Sequence, residues 1–180
     1  MKSVWIVCYL LSISLANVLT ASSDPLVWGN FIVPVGSFLI GATFILRDLV
    51  QNAIGRRNTY FVIGAAMVLS AITSSALGDT LWITFASAIT FLFSETTDTE
   101  IYTRLKLPMS MKVLYSGIVG GALDSVIFVI IGLSPLGAGF LPWDMVGYAI
   151  IGQIVVKTVM QLLGSGVVQV LPVGRRTLQG

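Results

Sequence analysis

Histidine is absent from the 180 residues, which removes imidazole metal ligands, Ser/His catalysis and the commonest switch near neutral pH. Proton chemistry is left to carboxylates, lysine and tyrosine. Cysteine occurs once, as Cys8, which cannot form an intrachain disulfide or a thiolate metal site and reads as a small buried hydrophobe. Charge is scarce: 10% of residues are Asp, Glu, Lys or Arg, against about 25% in a soluble domain. Ten basic and eight acidic residues, a net charge of +2, supply no basic surface on which nucleic acid could lie. What is abundant is apolar: 56% of the residues are hydrophobic. This is the composition of an integral membrane protein, for which neither cofactor nor metal is expected.

Six apolar runs predict an all-α fold, a compact bundle of six transmembrane helices forming one membrane domain over residues 1–180. The spans fall at about 4–20, 31–54, 60–77, 81–102, 111–133 and 145–171. Lys2 ahead of the first run and Ala21-x-Ser23 behind it also fit a secretory signal peptide. Its removal would leave an odd number of spans. Pro34 and Gly36 predict a kink in the second span, and Gly78-Asp79 a tight turn between the third and fourth. Gly117-x-x-x-Gly121 in the fifth span permits close helix approach, either as ordinary packing or as the wall of a substrate groove.

Loop charges predict the orientation, because Lys and Arg gather on the cytoplasmic side. Lys2, Arg56, Arg57, Arg104, Lys106, Lys112, Arg175 and Arg176 all fall on the side of the N-terminus, whereas the loops around Asp24, Asp79 and Asp144 hold no basic residue. Both termini are therefore expected in the cytoplasm. Trp28, Trp82 and Trp143 stand at the outer ends of spans, where amphipathic rings are favoured.

Six charges remain inside the spans: Arg47, Asp48, Glu95, Asp98, Asp124 and Lys157. Each costs about 2.5 to 3.5 kcal/mol at a helix centre, so they are hard to insert unpaired. Phe91, Glu95, Asp98 and Tyr102 recur at offsets of three and four and share a helix face, which points at other helices or at water unless its carboxylates are solvated end residues. Asp124 and Lys157 both lie near the midplane, about 15 to 20 Å deep at about 1.5 Å per residue, and form the natural ion pair. Arg47 and Asp48, with Glu95 and Asp98, occupy the cytoplasmic half, where Arg47 can bridge to a carboxylate of span four. Four carboxylates against two cations imply a carboxylate that keeps its proton, a bound cation, or a substrate that donates hydrogen bonds to a carboxylate.

The segment from Trp28-Gly29 through Pro34 to Arg47-Asp48-Leu49, Gly55 and Arg56-Arg57 resembles the second-span region of the queuosine precursor transporter family, also called the vitamin uptake transporter family. Ser94 to Leu105, with Asp98 before Ile101-Tyr102, resembles the family's fourth-span motif, and Gly121-Ala122-Leu123-Asp124-Ser125 with Phe128 resembles its fifth. Lys157 falls where the family has an intramembrane lysine, and Asn17 in span one also matches. Glu95 stands where Gln is expected. The resemblance covers nearly the whole chain and implies a small transporter in the bacterial inner membrane that imports 7-deazaguanine precursors of queuosine, such as the 7-cyano form, for tRNA modification.

A deazaguanine presents N–H and NH2 donors side by side, and a carboxylate offers two acceptors at matching spacing. Asp98, Glu95 or Asp124 suits that part, while Phe91, Phe128 and Tyr102 supply flat faces for stacking, worth about 1 to 3 kcal/mol per base in nucleic-acid binders. With Asp48, Arg47, Asn17 and Lys157 these complete the candidate substrate-binding set; no catalytic residue is assigned. The alternatives are a substrate-binding subunit of a multi-component vitamin or nucleobase uptake system and an intramembrane enzyme, although no nucleophile with a base appears. The expected partners are the small-molecule substrate and the lipid bilayer; a homo-oligomer and energising partner subunits stay open.

Overall fold

The computed structural model describes residues 2–79 and 81–170. Helix α1 (Lys2–Ser22) leads into a hairpin of β1 (Leu26–Trp28) and β2 (Phe31–Val33), followed by α2 (Gly36–Ile54), α3 (Arg56–Ala76), α4 (Leu81–Arg104), α5 (Met109–Ile127) and α6 (Trp143–Val170). A π-helical turn, Phe128–Leu133, prolongs α5. Leu171 and the basic Arg175 and Arg176, which entered the span limits and the orientation, lie outside the described residues.

Helix α2 is central, packing on α1, α3, α4, α5 and α6, while α4 lies against α3 and α5. Tyr9, Ile13, Val50, Ile63 and Phe91 knit α1 to α4. Leu49, Tyr102, Met109, Val113 and Val168 close the end at which α4 finishes and α5 starts. At the opposite end Val129, Leu141, Val146 and Ala149 form a third cluster.

Interior and exterior are inverted relative to a soluble protein. Arg47, Asp48, Glu95, Asp98, Gln153, Lys157 and Gln161 are buried, whereas Phe61, Ile72, Phe85, Leu162, Leu163 and Val167 are exposed along the helix flanks. So large an apolar exterior is stable in lipid and not in water. Among the described residues four helices are long and apolar enough to cross a membrane: α1, α3, α5 with its π-helical continuation, and α6. The other two, α2 and α4, carry the charges of Arg47, Asp48, Glu95 and Asp98, and these side chains face inward rather than toward lipid.

Three local features follow from chain chemistry. Residues 31–33 do not belong to the second helix, and no kink forms at Pro34 and Gly36. Proline disfavours a helical predecessor and has no N–H to donate, so the helix begins at Gly36 and the apolar run before it folds back as a strand. Gly29, at φ +59°, turns that hairpin, in which Leu26 pairs with Val33 and Trp28 with Phe31. Arg56–Asn58 are the first turn of α3 and not a loop; Gly55, at φ +82°, makes the whole reversal. Gly78, at φ +88°, turns between α3 and α4 as expected, with Ser74 donating to Asp79.

The small face of α5 serves packing. A β-carbon at Gly117 would strike the side-chain amide of Gln161 on α6, and one at Gly120 would press on Asp98 of α4 and Phe44 of α2. The glycines thus let α5 approach three helices at once. Helix α1, the segment that also fits a signal peptide, is built into the bundle. Tyr9, Ile13 and Ala16 are buried, and Asn17 Nδ2 donates to Ser70 Oγ at 3.0 Å and Thr73 Oγ1 at 2.8 Å on α3.

Candidate functional site

A cavity of about 490 Å³ enters the bundle from the end that carries the β-hairpin and the Gly78 turn. Its volume lies within the range of about 300 to 1,000 Å³ usual for small-molecule sites. Exposed Pro25, Asp79 and Phe140 stand at the mouth, and buried Thr90, Phe91, Gln153 and Lys157 line the inner part. Each of the six helices contributes wall residues, among them Asn17 and Thr20 of α1, Ser37 and Ile40 of α2, and Ser70 and Ser74 of α3. Serines and threonines scattered over otherwise apolar helices thus meet on the wall of one largely apolar cavity.

Asp124 and Lys157 face this cavity. Lys157 Nζ lies 2.5 Å from Asp124 Oδ2, 3.0 Å from Ser125 Oγ and 3.2 Å from Gln153 Oε1. An ammonium has three hydrogens, so this lysine is fully committed to the protein. Ser94 Oγ donates to the other carboxylate oxygen, Asp124 Oδ1, at 3.4 Å. The π-helical turn begins four residues after Asp124 and places Phe128 on the cavity wall. Its wider winding also turns the Ile131 carbonyl outward, where it accepts from Trp82 Nε1 at 2.7 Å.

Beyond the cavity, toward the other end of the bundle, Arg47 gathers three carboxylates. Its guanidinium lies 3.0 Å from Asp48 Oδ1 and 3.2 Å from Glu95 Oε2, and it also contacts Asp98. Arg47 Nη1 donates to Gln51 Oε1 and Thr99 Oγ1, both at 2.9 Å. Ser116 Oγ of α5 donates to Asp48 Oδ2 at 3.4 Å. These charged side chains are at most 1% exposed, and together they bolt α2 to α4. Further out, Glu100 accepts from Tyr60 and contacts Arg56, with Arg104 at 3.4 Å.

The ten residues singled out from sequence fall into three groups. Asp124, Lys157, Asn17, Phe91 and Phe128 line the cavity. Arg47, Asp48, Glu95 and Asp98 form the ion network behind it and are not among the lining residues. Tyr102 is packed among Leu49, Met109 and Val113, with Lys112 Nζ 5.5 Å from its ring centre, remote from the cavity. Asn17 lines the wall while its amide hydrogens are spent on α3. Gln153 was missed; it lies one helical turn before Lys157, on the same face, and that spacing was the available signal.

A polytopic helical protein with an apolar exterior, a largely apolar cavity that carries a few convergent polar groups and is entered from one end, and a buried ion network toward the other has the construction of a membrane transporter. The family model described as "Putative vitamin uptake transporter" matches residues 73–171, more than half of the chain, and the chain belongs to that family. No curated protein and no solved structure matches it. The matched range contains α4, α5 and α6, and with them Glu95, Asp98, Asp124 and Lys157.

Proposed function

We propose that this transporter imports a 7-deazaguanine, the 7-cyano precursor of queuosine being the expected form, across the bacterial inner membrane. The observation that carries the reading is the position of Asp124 on the cavity wall, with Phe91 and Phe128 lining the same space. Asp124 accepts the adjacent N–H and NH2 donors of the heterocycle, a charge-assisted pair of hydrogen bonds, and the two rings flank its faces. Lys157 holds the carboxylate in place and is not itself a substrate contact, because its three hydrogens are already placed.

All six helices cross the bilayer in this reading, with the start of α1 and the end of α6 in the cytoplasm and the cavity open to the outside. The charge asymmetry of the loops supports that orientation. The Arg47 network is then the closed cytoplasmic gate, and its opening exposes Glu95 and Asp98 to the cargo from the inner side. Equilibrium binding of radiolabelled 7-cyano-7-deazaguanine to the purified chain tests the site. Wild type binds saturably, and Asp124→Asn weakens binding roughly 10- to 150-fold, the range for losing a charged hydrogen bond. Equal binding by the two proteins would remove Asp124 from the site.

A further inference from the structure

Gln153 carries an unused donor at the cavity. It is 2% exposed and lines the same space as Asp124. Its amide orientation follows from chemistry, because Lys157 Nζ can only donate and lies 3.2 Å from Oε1, which forces the oxygen toward the ammonium and the NH2 away from it. Nε2 has no hydrogen-bond partner among the described residues. A buried amide donor without a partner calls for an explanation, and a group bound in the cavity beside it supplies one. Asp124 and Gln153 are ligands of one ammonium and both line the cavity, so a carboxylate and a buried, unpaired amide donor lie side by side in its wall.

We propose that Gln153 is the residue that selects for a ring carbonyl on the cargo: its Nε2 donates to that oxygen while Asp124 accepts from the neighbouring ring N–H, so that the pair selects a lactam edge. This rests on the reading that a deazaguanine occupies the cavity. A cargo with an amino group and an unprotonated ring nitrogen at the same positions sets donor against donor at Gln153 and lone pair against carboxylate at Asp124. Discrimination of this kind is strong, because each mismatch strands a buried polar group. Substitution with glutamate keeps an oxygen on Lys157 and replaces the donor with an acceptor.

The test is competition binding to the purified, full-length chain, comparing 7-cyano-7-deazaguanine with the counterpart that differs only by an amino group in place of the 6-oxo. Wild type prefers the oxo compound, and Gln153→Glu shrinks the preference roughly 10- to 100-fold, chiefly by losing the oxo compound. Gln153→Leu, which has neither donor nor acceptor, shows an intermediate ratio and decides the matter if the glutamate variant is not recovered folded. An unchanged ratio in the variants, or a wild type that binds both compounds equally, overturns the role of Gln153 and leaves the transporter's cargo class standing. A wild type that binds neither compound overturns both.

Discussion

Lys157 Nζ and Asp124 Oδ2, 2.5 Å apart, join α6 to α5 inside the bundle while both residues face the cavity. The pair ties the two helices together at the cavity wall. Its charges are each costly to bury, and their mutual attraction with the hydrogen bonds from Ser94 and to Ser125 and Gln153 offsets that cost.

Removing one partner strands the other. Lys157→Met is expected to lose about 3 to 5 kcal/mol, because it leaves a carboxylate in low dielectric. Asp124→Asn combined with Lys157→Met removes both charges and should melt above the single Lys157 variant, even though transport stays lost. Melting temperatures in detergent for both single variants and the double variant measure the coupling, and strictly additive losses would refute it.

As the proposed gate, the network behind the cavity acts in movement of the cargo and not in its binding. Asp98 touches Arg47 and is not among the cavity-lining residues. Asp98→Asn should therefore retain binding of labelled 7-cyano-7-deazaguanine within about threefold and lose uptake by more than tenfold, a split of at least about 0.7 kcal/mol between the two steps. Glu95→Gln, which restores the residue expected from the family, should transport better than Asp98→Asn. Parallel loss of binding and uptake in Asp98→Asn would place Asp98 at the cargo instead.

Asn17 anchors α1 to α3 through Ser70 and Thr73. Asn17→Leu should lower stability by about 1 to 3 kcal/mol through the acceptors left behind, with little change in cargo affinity. Chemical denaturation and binding on the same preparation read the two effects separately.

Gly117 faces the amide of Gln161, which donates to the Gly41 carbonyl at 2.7 Å and so ties α6 to α2. Gly117→Ala should cost about 1 to 3 kcal/mol by overpacking this contact. A stability equal to wild type would show that α5 and α6 separate freely there.

Much of this was legible in the chain because buried charge in an apolar helix is expensive and must be paired. Counting rise per residue is enough to bring Asp124 to Lys157 and Arg47 to span four, and the pairs are found at 2.5 Å and 3.2 Å. Which carboxylate meets the cavity was not legible, since it depends on the rotation of each helix about its axis. Glu95 and Asp98 turn toward Arg47, and Asp124 turns toward open space. The hairpin at 26–33 was hidden because its apolar residues suit a strand and a membrane helix equally. Gln153 was hidden because a neutral amide adds no charge to the count.

The measurement closest to the central claim is uptake of labelled 7-cyano-7-deazaguanine by proteoliposomes that contain only this chain. Saturable accumulation, competed by unlabelled compound and reduced at least tenfold in vesicles carrying Asp124→Asn, is the predicted result. Vesicles that take up no more label than protein-free liposomes, or equal uptake by wild type and Asp124→Asn, would contradict it.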